Sequence, residues 1–189
     1  MKICCINIKD LPAHIVRLNG SRRENIFKQI DESKILWLER ADIEHDPQYK
    51  QLISYAIVIR DDGKIACYPR HGSEKRLHGM YSCGVGGHVD EPDCKNSLEA
   101  TIITGLKREL SEEFQDFDFE KVDINYLGFL NETESEAGLV HTGIVFECRC
   151  SAGYLPTPAA ELLGLEWKTK EELTQLKTEL WSKLALDLI

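Results

Sequence analysis

The chain lacks any apolar run approaching the ~18 residues that a bilayer-spanning helix requires, which excludes a helical membrane span. It is also short of basic residues: 23 Lys and Arg face 32 Asp and Glu, a formal net charge of −9. A general binder of nucleic-acid duplexes needs a basic surface, so that class is excluded. A small anionic ligand is not, because a bound cation reverses the local sign. No two cysteines have C-x-x-C spacing, and the seven thiols (Cys4, Cys5, Cys67, Cys83, Cys94, Cys148 and Cys150) are odd in number. That combination points to reduced thiols in a cytoplasmic protein rather than to a zinc site or a disulfide framework. Internal repeats and low-complexity tracts are missing too. The opening MKICCINIKDLP turns charged with no small-residue cleavage site, so no signal peptide is expected.

What is present is ordinary for a globular chain of 189 residues, with 42% apolar and 29% charged side chains: one well-packed domain with some embellishment. CCINI and KILWLER (34–40) are strand-like, RRENIFKQI (22–30) predicts a short helix, and ADIEHDPQY (41–49) has the character of a linker. Residues 1–49 are therefore expected to form an N-terminal extension packed on a main domain, 50–189. From Gln51, QLISYAIVIR and KIACYPR flank the turn signal DDG and predict a hairpin. MYSCGVGG (80–87) predicts a strand running into a glycine loop. NSLEATIITGLKRELSEEF (96–114) predicts a helix, with Asn96 as N-cap and Glu99 as its capping-box acid. VDINYLGFL and GLVHTGIVFECRC are strand-like, and LLGLEWKT leads to a last strand. A second capping box, Thr169 with Glu172, opens KEELTQL, and ELWSKLALDLI ends the chain as an amphipathic helix. Strands not separated by crossover helices imply an α+β or α/β sandwich with a mixed sheet.

The helix ending in KRELSEEF carries the chemistry. At about 100° per residue from Leu98, the apolar side chains Leu98, Ile102, Ile103, Leu106, Leu110 and Phe114 form one stripe spanning roughly 0–160°. Glu109 and Glu113 overlap the edge of that stripe, near about 20° and 60°, and Glu112 sits beside it. Carboxylates brought against apolar surface cost several kcal/mol each unless paired or metal-bound. A hard divalent cation such as Mg²⁺ resolves the conflict, since it prefers oxygen ligands and keeps positions for water and phosphate. The preceding GVGGHVDEPD supplies Gly84, Gly86 and Gly87, at which backbone can approach a metal or phosphate closely.

GGHVDEPD…RELSEE resembles the Nudix box, G-x5-E-x7-R-E-U-x-E-E-x-G-U. Gly87 is followed after five residues by Asp93, and Arg108, Glu109, Leu110, Glu112 and Glu113 match the R-E-U-x-E-E core. The order of elements over about 51–175 is similar to the family as well. Three features depart from the pattern. Fourteen residues separate Asp93 from Arg108, the first Glu is replaced by Asp93, Glu91 or Glu99, and the closing G-U is Gln115–Asp116. The resemblance implies a Nudix-like α/β/α sandwich and an enzyme that hydrolyses a nucleoside diphosphate linked to another moiety (NDP-X), with Mg²⁺ or Mn²⁺ and water attack on phosphorus. Glu109, Glu112 and Glu113 would bind the ions with a carbonyl of Gly86 or Gly87, and Arg108 would orient the acids. Glu161, six residues before Trp167, would be the additional acid that the family often supplies from a later loop.

Arg70, Lys75 and Arg76 are candidate phosphate contacts, and His88 is a candidate substrate contact or proton shuttle, with a structural hydrogen bond as its plainer role. Cys83 and His141 are expected in the core. Two other functions stand beside the hydrolase. One is a non-catalytic nucleotide-sensing module. The other is an isoprenoid-diphosphate isomerase, which would need a cysteine where Gly86 stands. The sequence leaves X and homodimerisation open.

Overall fold

The computed structural model describes residues 1–71 and 77–189. Its strands are β1 (Lys2–Asn7), β2 (Gly20–Arg22), β3 (Ile35–Glu39), β4 (Tyr49–Arg60), β5 (Ile65–Pro69), β6 (Tyr81–Ser82), β7 (Gly84–His88), β8 (Val122–Asn131), β9 (His141–Cys150) and β10 (Glu166–Lys168). Its helices are α1 (Ala13–Val16), α2 (Arg40–Ile43), α3 (Leu98–Glu113), α4 (Glu136–Val140), α5 (Lys170–Thr174) and α6 (Leu180–Leu186).

β4 organises the mixed sheet. Its run YKQLISYAIVIR is buried on both faces from Lys50 to Ile59, the pattern of a central strand. One edge pairs in parallel with β9 from Gln51 to Arg60. The other edge is shared in succession by β1, β7 and β5, all antiparallel. β8 and then β2 extend the sheet beyond β9, and β10 closes the far side on β5. Alternation along β4 divides the core. Leu52, Ala56 and Val58 face the apolar stripe of α3, whereas Tyr55, Ile57 and Ile59 face Leu173 of α5 and Ala185 and Leu186 of α6. The result is the expected three-layer α/β/α sandwich.

Four local expectations are corrected. RRENIFKQI is no helix: its first residue, Arg22, ends the edge strand β2, and Ile26–Lys28 forms one 3₁₀ turn in which the Asn25 side chain accepts from the Lys28 N–H. Asn offers the backbone that local alternative and so competes with helix. ADIEHDPQY is not a linker, because α2 buries Ile43 and its carbonyl accepts from Gln51 Nε2 at 3.0 Å. GVGG is not a loop but the start of β7, paired with β4 from Gly84–Ile57 to His88–Ile53. Finally, the N-cap of α3 is Ser97 rather than Asn96, with its side chain accepting from the Ala100 N–H, so Glu99 falls one position short of a capping box. The Thr169–Glu172 capping box forms as read.

Candidate active site

The last two turns of α3 bring the box residues together. Leu98, Ile102, Leu106 and Leu110 anchor the helix in the core, each gaining on the order of 1.5–3 kcal/mol from burial. That anchoring fixes Glu109 and Glu113 at the edge of the buried face, with side-chain exposure of 15% for Glu109 against 57% for Glu112. Arg108 is the hub. Its Nη1 donates to Glu109 Oε1 at 2.7 Å and Glu112 Oε1 at 3.2 Å. Its Nη2 donates to the His88 carbonyl at 2.7 Å and to Asp93 Oδ2 at 3.0 Å. Burial works against the guanidinium charge, but the bonds to Asp93 and Glu109 outweigh it and push its pKa up. Of the three acids that could stand in for the first Glu of the box, Asp93 is the one held by Arg108. Glu91 lies in an exposed pair with Lys2 at 3.2 Å, and Glu99 is an acid of the first turn of α3.

Glu113 sits apart from that hub. Its Oε2 is buried without a hydrogen-bond partner, and burial together with the facing charge of Glu161 pushes its pKa up to about 7. The exit of α3 explains how Glu161 arrives there. The helix ends without a left-handed glycine: Phe114 is extended and bridges Pro158, Gln115 N donates to the Thr157 carbonyl at 2.9 Å, and Ala159 N donates to the Glu113 carbonyl at 2.8 Å. Asp116, in place of the bulky aliphatic of the box, accepts from Thr157 N at 2.6 Å and Thr157 Oγ1 at 2.9 Å. The segment 157–161 is thus docked on the helix end.

The glycines have a steric role. A Cβ on Gly86 would fall 1.9 Å from the Ser54 carbonyl oxygen, and one on Gly87 would fall 2.5 Å from the Glu109 carboxyl carbon. β7 therefore lies directly against the acids, and its other contacts open into a cleft of about 780 Å³. This is within the range of small-molecule sites, roughly 300–1,000 Å³. Gly86, Gly87, His88 and Arg70 line it. Arg70 is close enough to Glu113 for its charge to oppose the rise in the Glu113 pKa. Lys75 and Arg76 lie outside the described residues.

His88 is not placed as a proton shuttle. Its Nε2 is 2.7 Å from Gln51 Oε1 and 3.2 Å from His141 Nε2, and burial pushes its pKa down to about 3. His141 is a correction: it is no core residue but a half-buried wall of the cleft, with Nδ1 2.7 Å from the Ala137 carbonyl. Cys83 is a core residue, 1% exposed. Sequence reasoning missed Arg40, Glu44 and Trp181, which also line the cleft. Arg40 ended the strand-like KILWLER, Glu44 fell in the supposed linker and Trp181 in a terminal helix, and no local pattern joins segments so distant in the chain.

Among the described residues, no three His, Cys, Asp or Glu side chains already stand as a preformed metal cage. The donor set still suits a hard divalent cation. It is all oxygen, the Oε2 of Glu113 is buried and unpartnered, and Gly87 leaves the backbone beside Glu109 open to close approach.

No protein-family model matches the chain. Protein YmaB of Bacillus subtilis is 32% identical over 176 residues, spanning 89% of this chain and 84% of its own length. Among solved structures, Tm1382, assigned to the Nudix hydrolases, superposes with a TM-score of 0.78 at 24% identity, over 100% of this chain and 97% of its own. A bifunctional NMN adenylyltransferase/ADP ribose pyrophosphatase of Francisella tularensis, in complex with AMP and a manganese ion, gives 0.53 at 15% identity, over 74% of this chain and 40% of its own. The chain belongs to the same family as YmaB, and its fold is that of the Nudix hydrolases.

Proposed function

We propose that the protein is a metal-dependent hydrolase that cleaves the diphosphate linkage of an NDP-X compound by water attack on phosphorus. The observation that carries this reading is the half-buried carboxylate of Glu113, whose Oε2 is buried without a partner, facing Glu161 and flanked by Glu109, beside a cleft of substrate size. Such a group is costly to hold in a fold that does not use it. Structural neighbours agree in kind, since they include a bifunctional NMN adenylyltransferase/ADP ribose pyrophosphatase bound to AMP and manganese.

Glu109, Glu112 and Glu113, with a carbonyl of Gly86 or Gly87, would hold Mg²⁺ or Mn²⁺, whose chemistry there is neutralisation of diphosphate charge and acidification of water. Arg108 fixes Glu109 and Glu112 through its Nη1 and is itself fixed by Asp93. Glu161 is the candidate base, placed by the docked segment 157–161, and Arg70 is the candidate diphosphate contact. The isomerase alternative loses ground, because the Cys83 thiol is buried against the Ser182 carbonyl and pushed up to about 12. Six of the seven cysteines are buried and all are free, which accords with a cytoplasmic setting.

The test is phosphate and nucleotide release with Mg²⁺ or Mn²⁺ across a panel of NDP-X compounds, beside folded Glu112→Gln and Glu113→Gln variants. Metal-dependent cleavage lost in both variants is the expected result. Nucleotide binding without cleavage under any metal would replace the hydrolase with a sensor.

A further inference from the structure

His88 follows Gly86 and Gly87 at the end of β7 and lines the cleft with them. One of its ring nitrogens is committed to the protein and the other is not. Gln51 is wholly buried, and its Nε2 donates to the Ile43 carbonyl at 3.0 Å. A carbonyl only accepts, so the amide cannot be turned round, and Gln51 Oε1 is the atom 2.7 Å from His88 Nε2. His141 gives the same answer. Its Nδ1 carries the proton that the Ala137 carbonyl accepts at 2.7 Å, which leaves a lone pair on its Nε2, 3.2 Å from His88 Nε2. Two acceptors therefore face His88 Nε2, and that nitrogen holds the proton.

A neutral imidazole has one N–H, so His88 Nδ1 is a lone pair. Among the described residues it has no hydrogen-bond partner. Nor is it shut away, because the buried side-chain nitrogen and oxygen atoms that lack a partner there are Asp90 Oδ1 and Glu113 Oε2. His88 Nδ1 is thus reached from the cleft. Arg40 and Glu44, which line the same cleft, are spent on each other at 2.7 and 3.1 Å. The wall behind the ring is fixed as well. Lys50, 2% exposed, donates from Nζ to the Gly138 carbonyl at 2.6 Å and the His141 carbonyl at 3.2 Å, which pins α4 and the start of β9. The acceptor is therefore held in place before any ligand arrives.

We propose that His88 Nδ1 is a substrate contact that only accepts, taking a hydrogen bond from a hydroxyl of the sugar bonded to the diphosphate. The position beside the diphosphate rests on the hydrolase reading, which puts the ion on a carbonyl of Gly86 or Gly87; the orientation of the imidazole does not. Consecutive residues of a strand are about 3.3 Å apart, so His88 stands within one sugar ring of that carbonyl. The hydroxyl belongs to the nucleoside's ribose or to a sugar in X. A site that presents a lone pair rejects an analogue without the donor, because the acceptor is then desolvated with no partner.

The experiment is nitrogen NMR of protein carrying isotope-labelled histidine, with His88 assigned by the signals missing from His88→Gln. The free protein should show His88 with its proton on Nε2 and a bare Nδ1. Adding Mg²⁺ with ADP, or with non-hydrolysable α,β-methylene ADP-ribose, should move the Nδ1 signal toward that of a hydrogen-bonded nitrogen. A shift with the ADP-ribose analogue alone puts the donor on X. Where ADP itself shifts Nδ1, 2′-deoxy-ADP and 3′-deoxy-ADP find the ribose hydroxyl: one of them should leave Nδ1 unmoved and bind about fivefold or more weakly than ADP. His88→Gln keeps a donor toward Gln51 but offers no Nδ1, so it should cut that preference to within about twofold. A free protein with the proton on Nδ1, no Nδ1 shift with any of these ligands, or a preference that survives His88→Gln would overturn the contact. The signal reads binding rather than turnover. A shift without cleavage in the NDP-X panel would therefore sink the hydrolase reading alone, and cleavage without a shift would sink the contact alone.

Discussion

A methyl group at residue 87 would occupy the space now filled by the Glu109 carboxylate, 2.5 Å away. Gly87→Ala must therefore displace either β7 or the acid. We expect a loss of activity of about 100-fold, since misplacement of a catalytic group by an ångström has that scale. The measurement is kcat for NDP-X cleavage alongside a thermal melt showing the variant folded. Wild-type turnover would contradict a close packing of β7 on the acids. Arg108 shows what single residues reveal in advance. The R-E-x-x-E-E spacing identified Arg108, Glu109, Glu112 and Glu113 as a cluster, because helix geometry alone places them together. The same spacing is silent on Asp93, whose contact with Arg108 crosses fourteen intervening residues and depends on how the enlarged loop folds back.

α3 ends against its own electrostatics. Two acids, Glu112 and Glu113, and no base occupy its last turn, beside the negative end of the helix dipole. Removing one carboxylate should stabilise the fold, so Glu113→Gln is expected to gain about 0.5–1 kcal/mol in denaturant unfolding while losing activity. A destabilised Glu113→Gln would mean that the carboxylate is structural. The element that follows is also testable. Asp116 ties Thr157 to the helix exit, and that tie carries Glu161 to Glu113. Asp116→Ala should lower kcat by about tenfold with little change in KM, through misplacement of Glu161. An unchanged kcat would separate Glu161 from the reaction. Element boundaries were legible where a capping box or a hydrophobic run marked them, as in α5 and β4, and the apolar stripe placed α3 although its cap lay one residue on, at Ser97. They failed where a local Asn turn or an edge pairing decided the matter, as at 22–30. The glycines of β7 looked like a loop because close packing and turn formation call for the same residue type.

At the scale of the whole molecule, residues far apart in sequence meet around one cleft, which is why its wall was invisible in the chain while the acid helix was not. Mixed strands without crossover helices sufficed for the sandwich, but nothing local could bring Arg40, His141 and Trp181 to one surface. Opposed titrations should shape stability without added metal. Glu113, raised to about 7, binds its proton more tightly folded than unfolded, so it contributes stability at low pH that is lost as pH rises from about 4.5 through 7. His88, lowered to about 3, acts the other way: its contribution is present above its unfolded value of 6.5 and is lost as pH falls from there toward 3. Each group changes stability by at most about 1.4 kcal/mol per pH unit within its window. The opposed slopes cancel between about pH 4.5 and 6.5, so melting temperature in EDTA should show a plateau there and fall on either side. Glu113→Gln should remove the alkaline fall and let the acid-side rise continue to about pH 6.5. An alkaline limb unchanged in Glu113→Gln would contradict the raised carboxylate.

The central claim is that the carboxylates at the end of α3 form a divalent-cation site, and titration calorimetry with Mn²⁺ at pH 7.5 tests it most directly. The account predicts saturable binding with proton release, because Glu113 must give up its proton to ligate, and at least about tenfold weaker binding in Glu113→Gln. Native protein that takes up no Mn²⁺, or a Glu113→Gln variant that binds it equally well, would contradict the claim.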